Sequence, residues 1–168
     1  MKHLLLIILF TPFYLNASEI FFLPDHTTDA LYTIDTTLKN SQKELLIITA
    51  ALQSEKIEKR LKKLAISGVK TTLIISNEHA FKASKLLQYR HIDLRTIDGL
   101  QSAHKAGEIT TTLILSDQKE LCLCTAALDE QAMRHDIGFL ECTREPQRVK
   151  TYLRHAQTLQ KRSKSYLK

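Results

Sequence analysis

Ile109 to Cys142 reads ITTTLILSDQKELCLCTAALDEQAMRHDIGFLEC. Its first segment sets Ile109, Leu113 and Leu115 on one face, and the β-branched run Thr110, Thr111 and Thr112 favours an extended backbone. Asp117 and Gln118 then close a turn. A second strand alternates Leu121 and Leu123 with Cys122 and Cys124, and a third, Ile137 to Cys142, is nearly all apolar. A short helical or looped crossing joins the second to the third. Strands this apolar belong in the middle of a covered sheet.

Upstream, Ile92 to Ile97 reads as a strand and Asn77 to Gln88 as a shorter helix carrying Ala80, Phe81, Leu86 and Leu87. Lys70 to Ser76, KTTLIIS, is a further strand. Before it, Ser54 caps a helix with Ile57, Leu61 and Leu64 at i, i+4 and i+7, and Gly68 stops that helix. With the strand Glu44 to Leu52, this is a β-α-β unit expected to be parallel and right-handed. Ile20 to Leu23 is a short strand ended by Pro24, after which Asp25 or Thr27 caps a helix bearing Ala30, Leu31, Ile34 and Leu38. Glu145 to Lys168 reads as one C-terminal helix, with Pro146 in its first turn and Val149, Leu153 and Ala156 as a packing stripe beside Tyr152 and Leu159. The fold class expected is α/β, a single domain with a mixed, mainly parallel sheet flanked by helices on both faces.

Residues 1–17 carry a basic start (Lys2, His3), the apolar run LLLIILF, Pro12 and the small-residue exit Leu15, Asn16 and Ala17, the pattern of a secretory signal peptide. The apolar run is shorter than the ~20 residues of a spanning helix, so membrane contact is expected only through an uncleaved N-terminus. The localisation expected is periplasmic or secreted. Residues 18–168 then form one domain with 23 basic against 18 acidic side chains, a net charge of +5. A basic exported domain favours phosphate-rich partners, nucleic acid or anionic lipid head groups. Past Glu145 the chain has no acidic residue, and Arg148, Lys150, Arg154, Lys161 and Arg162 are candidate nucleic-acid or anion contacts. They fit equally a solvated helix end whose cations complement the helix dipole. Of the three cysteines, Cys122 and Cys124 share a face of one strand, so a bridge from either of them to Cys142 is easier than one between them; three buried thiols are the other reading. No metal-ligand spacing joins them.

The order of strand, Asp, turn, strand, small residues, helix and an acidic residue before the last strand resembles the signature region of the phospholipase D superfamily. It is most similar to the short, secreted, single-domain bacterial nucleases of that family. The resemblance extends through Phe22-Leu23-Pro24, Ile47-Ile48-Thr49-Ala50 and Gly68-Val69, so it covers most of residues 18–168. The family motif runs His-x-Lys, four residues, Asp, six residues, Gly-Ser-x-Asn, with a Glu before the next strand. With Asp117 on the family Asp, the His falls on Thr110 and the Lys on Thr112. The Gly-Ser pair falls on Cys124 and Thr125, the Asn on Ala127, and the Glu on Asp136.

The resemblance implies a domain like one phospholipase D half, working without metal or other cofactor, in which homodimers bring two motifs into one site. In the family the His attacks phosphorus and the Lys neutralises the developing charge on the phosphoryl oxygens. A Thr hydroxyl without an adjacent base is a poor nucleophile, and Thr112 supplies no charge. Such groups act as a unit, so their loss costs several orders of magnitude in rate. The first reading is therefore a non-catalytic phosphodiester- or nucleic-acid-binding protein, with Asp117, Thr125 and Asp136 on family positions, pairing with itself or with an active relative. The alternative is an active phosphodiesterase or endonuclease using displaced groups. These are His104 or Lys105 in the polar loop DGLQSAHKAGE, or His135 with Asp117 as an acid and base pair. A third reading is an assembly part with no phosphate ligand.

Overall fold

A computed structural model describes residues 18–97, 101–102, 105–106 and 109–167. The elements run β1 (Glu19–Leu23), α1 (Thr27–Asn40), β2 (Glu44–Thr49), α2 (Glu55–Ile66), β3 (Lys70–Ser76), α3 (Ala80–Ala83) and β4 (Ile92–Ile97). They continue with the two-residue strands β5 (Gln101–Ser102) and β6 (Lys105–Ala106), then β7 (Thr112–Ser116), β8 (Glu120–Cys124), α4 (Glu130–His135), β9 (Gly138–Thr143), α5 (Pro146–Arg162) and β10 (Lys164–Ser165). The main sheet has eight strands in the order β1-β9-β8-β7-β2-β3-β4-β10, and β5 pairs with β6 separately. The apolar strands of the opening stretch do lie centrally, and β7 is buried on both faces.

The sheet is mixed but mostly antiparallel, which corrects the expectation of a mainly parallel one. Only β2 with β3 and β3 with β4 run parallel. The β-α-β unit was read from local signals. The remaining pairings are either hairpins or long-range joins such as Glu19 opposite Cys142 and Leu46 opposite Leu115, which leave no local trace. Helices cover both faces. On one, Ala30, Ile34 and Leu38 of α1 and Ile57, Leu61 and Leu64 of α2 pack on Ile47, Leu73, Ile75, Ile114 and Leu140. On the other, Val149 and Ala156 of α5 pack on Ile48, Ile74, Leu113, Leu115 and Leu121, with Tyr152, Leu153 and Leu159 alongside.

Local details follow residue chemistry. Ser54 caps α2 by accepting from the Ile57 amide, and Gly68 ends it at φ +88°, a left-handed conformation that costs a glycine least. The α1 cap differs from expectation. The N-cap is His26, without a side-chain bond, while the Thr27 hydroxyl is shared between Pro24 O at 2.7 Å and Met133 O at 2.6 Å, tying the start of α1 to α4. Residues 77–88 form a 3₁₀ turn, α3 and a second 3₁₀ turn rather than one helix. The buried residues there, Ala80, Ala83 and Leu86, recur every third position, the period of a 3₁₀-helix. The C-terminal helix also stops before the end of the chain, at Arg162. Arg95 binds Ser163 through both its Oγ (2.7 Å) and its carbonyl (2.8 Å), and β10 then pairs with β4.

Cys122 and Cys142 face each other across β8 and β9 and form a disulfide; Cys124 stays a buried free thiol. Burial pushes the Cys124 thiol up from its ordinary value, which keeps it protonated and unreactive.

Candidate functional site

Asp117 apart, the residues that the motif spacing leads one to expect on the family positions gather where β2 ends, β7 begins, β8 ends and β9 begins. Thr112, the first residue of β7, is 1% exposed. Its hydroxyl lies 2.7 Å from Ala126 O and 2.8 Å from the hydroxyl of Thr49, which in turn lies 3.0 Å from Ala51 O and accepts from the Leu128 amide at 3.2 Å. Two hydroxyl protons are thus shared among three oxygen contacts, two of them bonded at any one time, and both side chains are engaged. The same segment is stitched to the end of β2 by Leu128 N to Ala51 O, Gln53 N to Leu128 O, and Ser54 Oγ to Glu130 Oε1. Sequence reading missed this network. The only signal was a Thr closing the apolar run of β2, and its partner lies 63 residues away.

Thr110 is exposed and precedes β7. Thr125, just past β8, accepts from the Phe139 amide at 2.9 Å, so its hydroxyl braces the start of β9. Gly138 makes room for it, because a Cβ there would sit 1.9 Å from Thr125 Oγ1. Gly138→Ala is therefore expected to destabilise the fold by about 1–3 kcal/mol, the usual cost of overpacking. Adding Thr125→Ala should recover part of the loss. Urea midpoints of the single and double variants check this, and an unshifted midpoint for Gly138→Ala would refute the close approach.

His135 ends α4 and Asp136 follows it, both exposed. Among the described residues, neither side chain makes a hydrogen bond. His104 lies outside the described residues, and Lys105 is placed only as backbone in β6.

Asp117 is not part of this cluster. It sits in the β7–β8 turn, at the far end of β7 from Thr112 and a full strand length from His135, so the two do not form the acid and base pair that the sequence suggested. Its carboxylate accepts the amides of Gln42, Lys43 and Glu44 at 2.8, 2.8 and 3.0 Å. Desolvation pushes this carboxyl up, but the three amides and nearby Lys119 outweigh it and hold the group below its ordinary value. The role is structural: it locks the α1–β2 connection onto the β7–β8 hairpin.

Of the expected anion contacts, Arg148 is already taken. Its guanidinium grips Glu141 with both branches, the Nη2 to Oε2 bond measuring 2.7 Å. That partner holds the Glu141 carboxyl below its ordinary value and raises Arg148. Lys150, Arg154, Lys161 and Arg162 are exposed on α5. Lys150, Arg154 and Lys161, spaced four and seven apart, line one side of the helix.

No group of three or more His, Cys, Asp or Glu able to hold a metal occurs among the described residues, nor any helix long and apolar enough to cross a membrane. The chain superposes on solved structures. NucT from Helicobacter pylori matches with a TM-score of 0.83 at 17% identity, over 89% of this chain and 99% of that one. Nuc from Salmonella typhimurium, a phospholipase D family member, matches with a TM-score of 0.73 at 14% identity, over 89% and 97%.

The chain has the phospholipase D fold.

TrmBL2, an archaeal chromatin protein, also superposes, with a TM-score of 0.66 at 15% identity, over 94% of this chain and 56% of that one. No family model and no curated protein matches the sequence. Identities this low establish the fold and leave the chemistry to the side chains. In this copy of the phospholipase D fold, the sheet end described above presents hydroxyls and a carboxylate.

Proposed function

We propose that this chain is an exported, catalytically disabled member of the phospholipase D superfamily that binds nucleic acid through its phosphates without cleaving it. The observation that carries the reading is the Thr112 hydroxyl. On the family Lys position it is buried and bonded to Ala126 O and Thr49, so it offers neither a cation nor a nucleophile to a phosphodiester. Thr110, on the family His position, has no imidazole to form a phosphoenzyme.

Binding is supported by the cationic side of α5 and by the likeness to Nuc, a phospholipase D family member, and TrmBL2 is described as binding DNA. Export is supported by the signal-peptide pattern of residues 1–17 and by the Cys122–Cys142 disulfide, which persists in oxidising compartments. Pairing of two copies, or of one copy with an active relative, would bring two sets of Thr110, Thr125 and Asp136 to a shared face.

The test is a salt series with a fluorescently labelled duplex read by anisotropy. Affinity should fall steeply with salt as phosphate counterions are released. Lys150→Ala, Arg154→Ala and Lys161→Ala together should flatten the slope of log affinity against log salt by about 2–3, roughly one unit per phosphate contact. Salt-independent binding, or a triple variant identical to the parent, would rule the reading out.

The exposed imidazole of His135, without a hydrogen bond among the described residues, favours one competing reading, a phosphodiesterase using displaced groups. Activity that is lost in His135→Ala and kept in Thr110→Ala would establish it.

A further inference from the structure

At the opposite end of the sheet from Thr112, α5 bridges over the starts of β2 and β3 and leaves a cavity of about 190 Å³. This is roughly six times the ~30 Å³ that one water occupies in the liquid, enough for a planar heterocycle. Its lining mixes the apolar Leu46, Leu115 and Leu153 with the polar Glu44, Lys70 and Gln118, of which Gln118 and Glu44 are bonded to each other. Gln157 and Gln160 of α5 also line it. Among the described residues, neither amide has a hydrogen-bond partner in the protein. Each amide offers a donor pair and an acceptor, the complement of a base's Watson–Crick edge. Gln157 also lies on the same side of α5 as the cations Lys150, Arg154 and Lys161, since positions 150, 154, 157 and 161 fall on one side of a helix. A strand tracked by Lys150, Arg154 and Lys161 therefore runs past the mouth of the cavity.

We propose that this cavity takes one unpaired base of a single-stranded nucleic acid whose backbone lies along α5. The inference rests on the phosphate-binding reading above and adds a preference for single strands at a place remote from the family site. A duplex keeps its bases stacked and paired, so it uses the cationic row alone. A single strand gains contact with Leu46, Leu115 and Leu153 and with the two amides as well.

The experiment compares a labelled oligothymidylate with a labelled duplex of equal length, by anisotropy, for the parent, Gln157→Leu/Gln160→Leu and Lys150→Ala/Arg154→Ala. The parent should bind the single strand about tenfold more tightly than the duplex. Gln157→Leu/Gln160→Leu should remove that preference while leaving duplex affinity and the salt slope unchanged. Lys150→Ala/Arg154→Ala should weaken both ligands together. An oligothymidylate carrying 4-thiothymidine should crosslink within residues 153–160, a readout independent of affinity. Free thymidine monophosphate at millimolar concentration should not displace the strand; displacement would make this a mononucleotide site and overturn the proposal. Equal affinity for both ligands, or a preference that survives in the double glutamine variant, would overturn it while leaving phosphate binding intact. Loss of all binding in the parent would remove both readings.

Discussion

Asp117→Ala is expected to lower the stability of the fold by about 2–3 kcal/mol, since it strips a charged acceptor from three backbone amides in a partly exposed turn. Part of the cost is conformational. Asp117 and Gln118 lie at φ 51° and 56°, the left-handed pair of a tight hairpin turn, which Asp and Asn tolerate far better than Ala. Asp117→Asn keeps the turn and removes only the charge, so its loss should be smaller, about 1 kcal/mol. The pH dependence follows from the sign of the shift. A carboxyl held below its ordinary value when folded contributes its stability above the unfolded value, about 4, and loses it as pH falls toward the lower folded value. The gap between the parent and Asp117→Asn should therefore be full at neutral pH and close progressively below about pH 4. Urea denaturation across a pH series measures it. A gap that widens in acid would show that the carboxylate does not hold those amides.

Removing the disulfide should cost about 3 kcal/mol, the chain-entropy value for a closed segment of this size, here a sequence separation of 20 residues. The bridge joins β8 to β9 beside the Leu121–Thr143 pair, toward the opposite end of these strands from Thr125 and Gly138, so its loss removes the covalent tie between them without touching the family positions directly. Cys122→Ala/Cys142→Ala should melt at lower urea in every condition. The parent should fall to the same midpoint when reduced, and the variant should not respond to reductant. A parent insensitive to reductant would contradict the bridge. Cys124→Ala serves as the control, because its buried thiol takes no part.

The strands from Thr112 to Thr143 were legible because apolar runs and the Asp-Gln turn are local signals. The parallel β2-α2-β3 unit was legible for the same reason, with a Ser cap at one end of its helix and a Gly at the other. The places of β1 and β10 at the sheet edges were not, since both are set by partners distant in sequence and by the grip of Arg95 on Ser163. At the site, the motif spacing was enough to lead one to expect Thr110 and Thr112 on the family His and Lys positions. What holds Thr112 could not, because Thr49 reaches it only through the folded sheet. Asp117 shows the converse. Its place in a turn was readable, but its carboxylate points back to residues 42–44, and no local pattern distinguishes an acid that does chemistry from one that ties a loop.

The most direct experiment is incubation of the purified protein with plasmid and single-stranded DNA in the presence of a chelator, with complex formation followed in the same samples. The expected result is a salt-sensitive complex and fully intact DNA. Cleavage that persists through repurification and is abolished by His135→Ala would contradict the disabled site and move the chemistry to a displaced histidine.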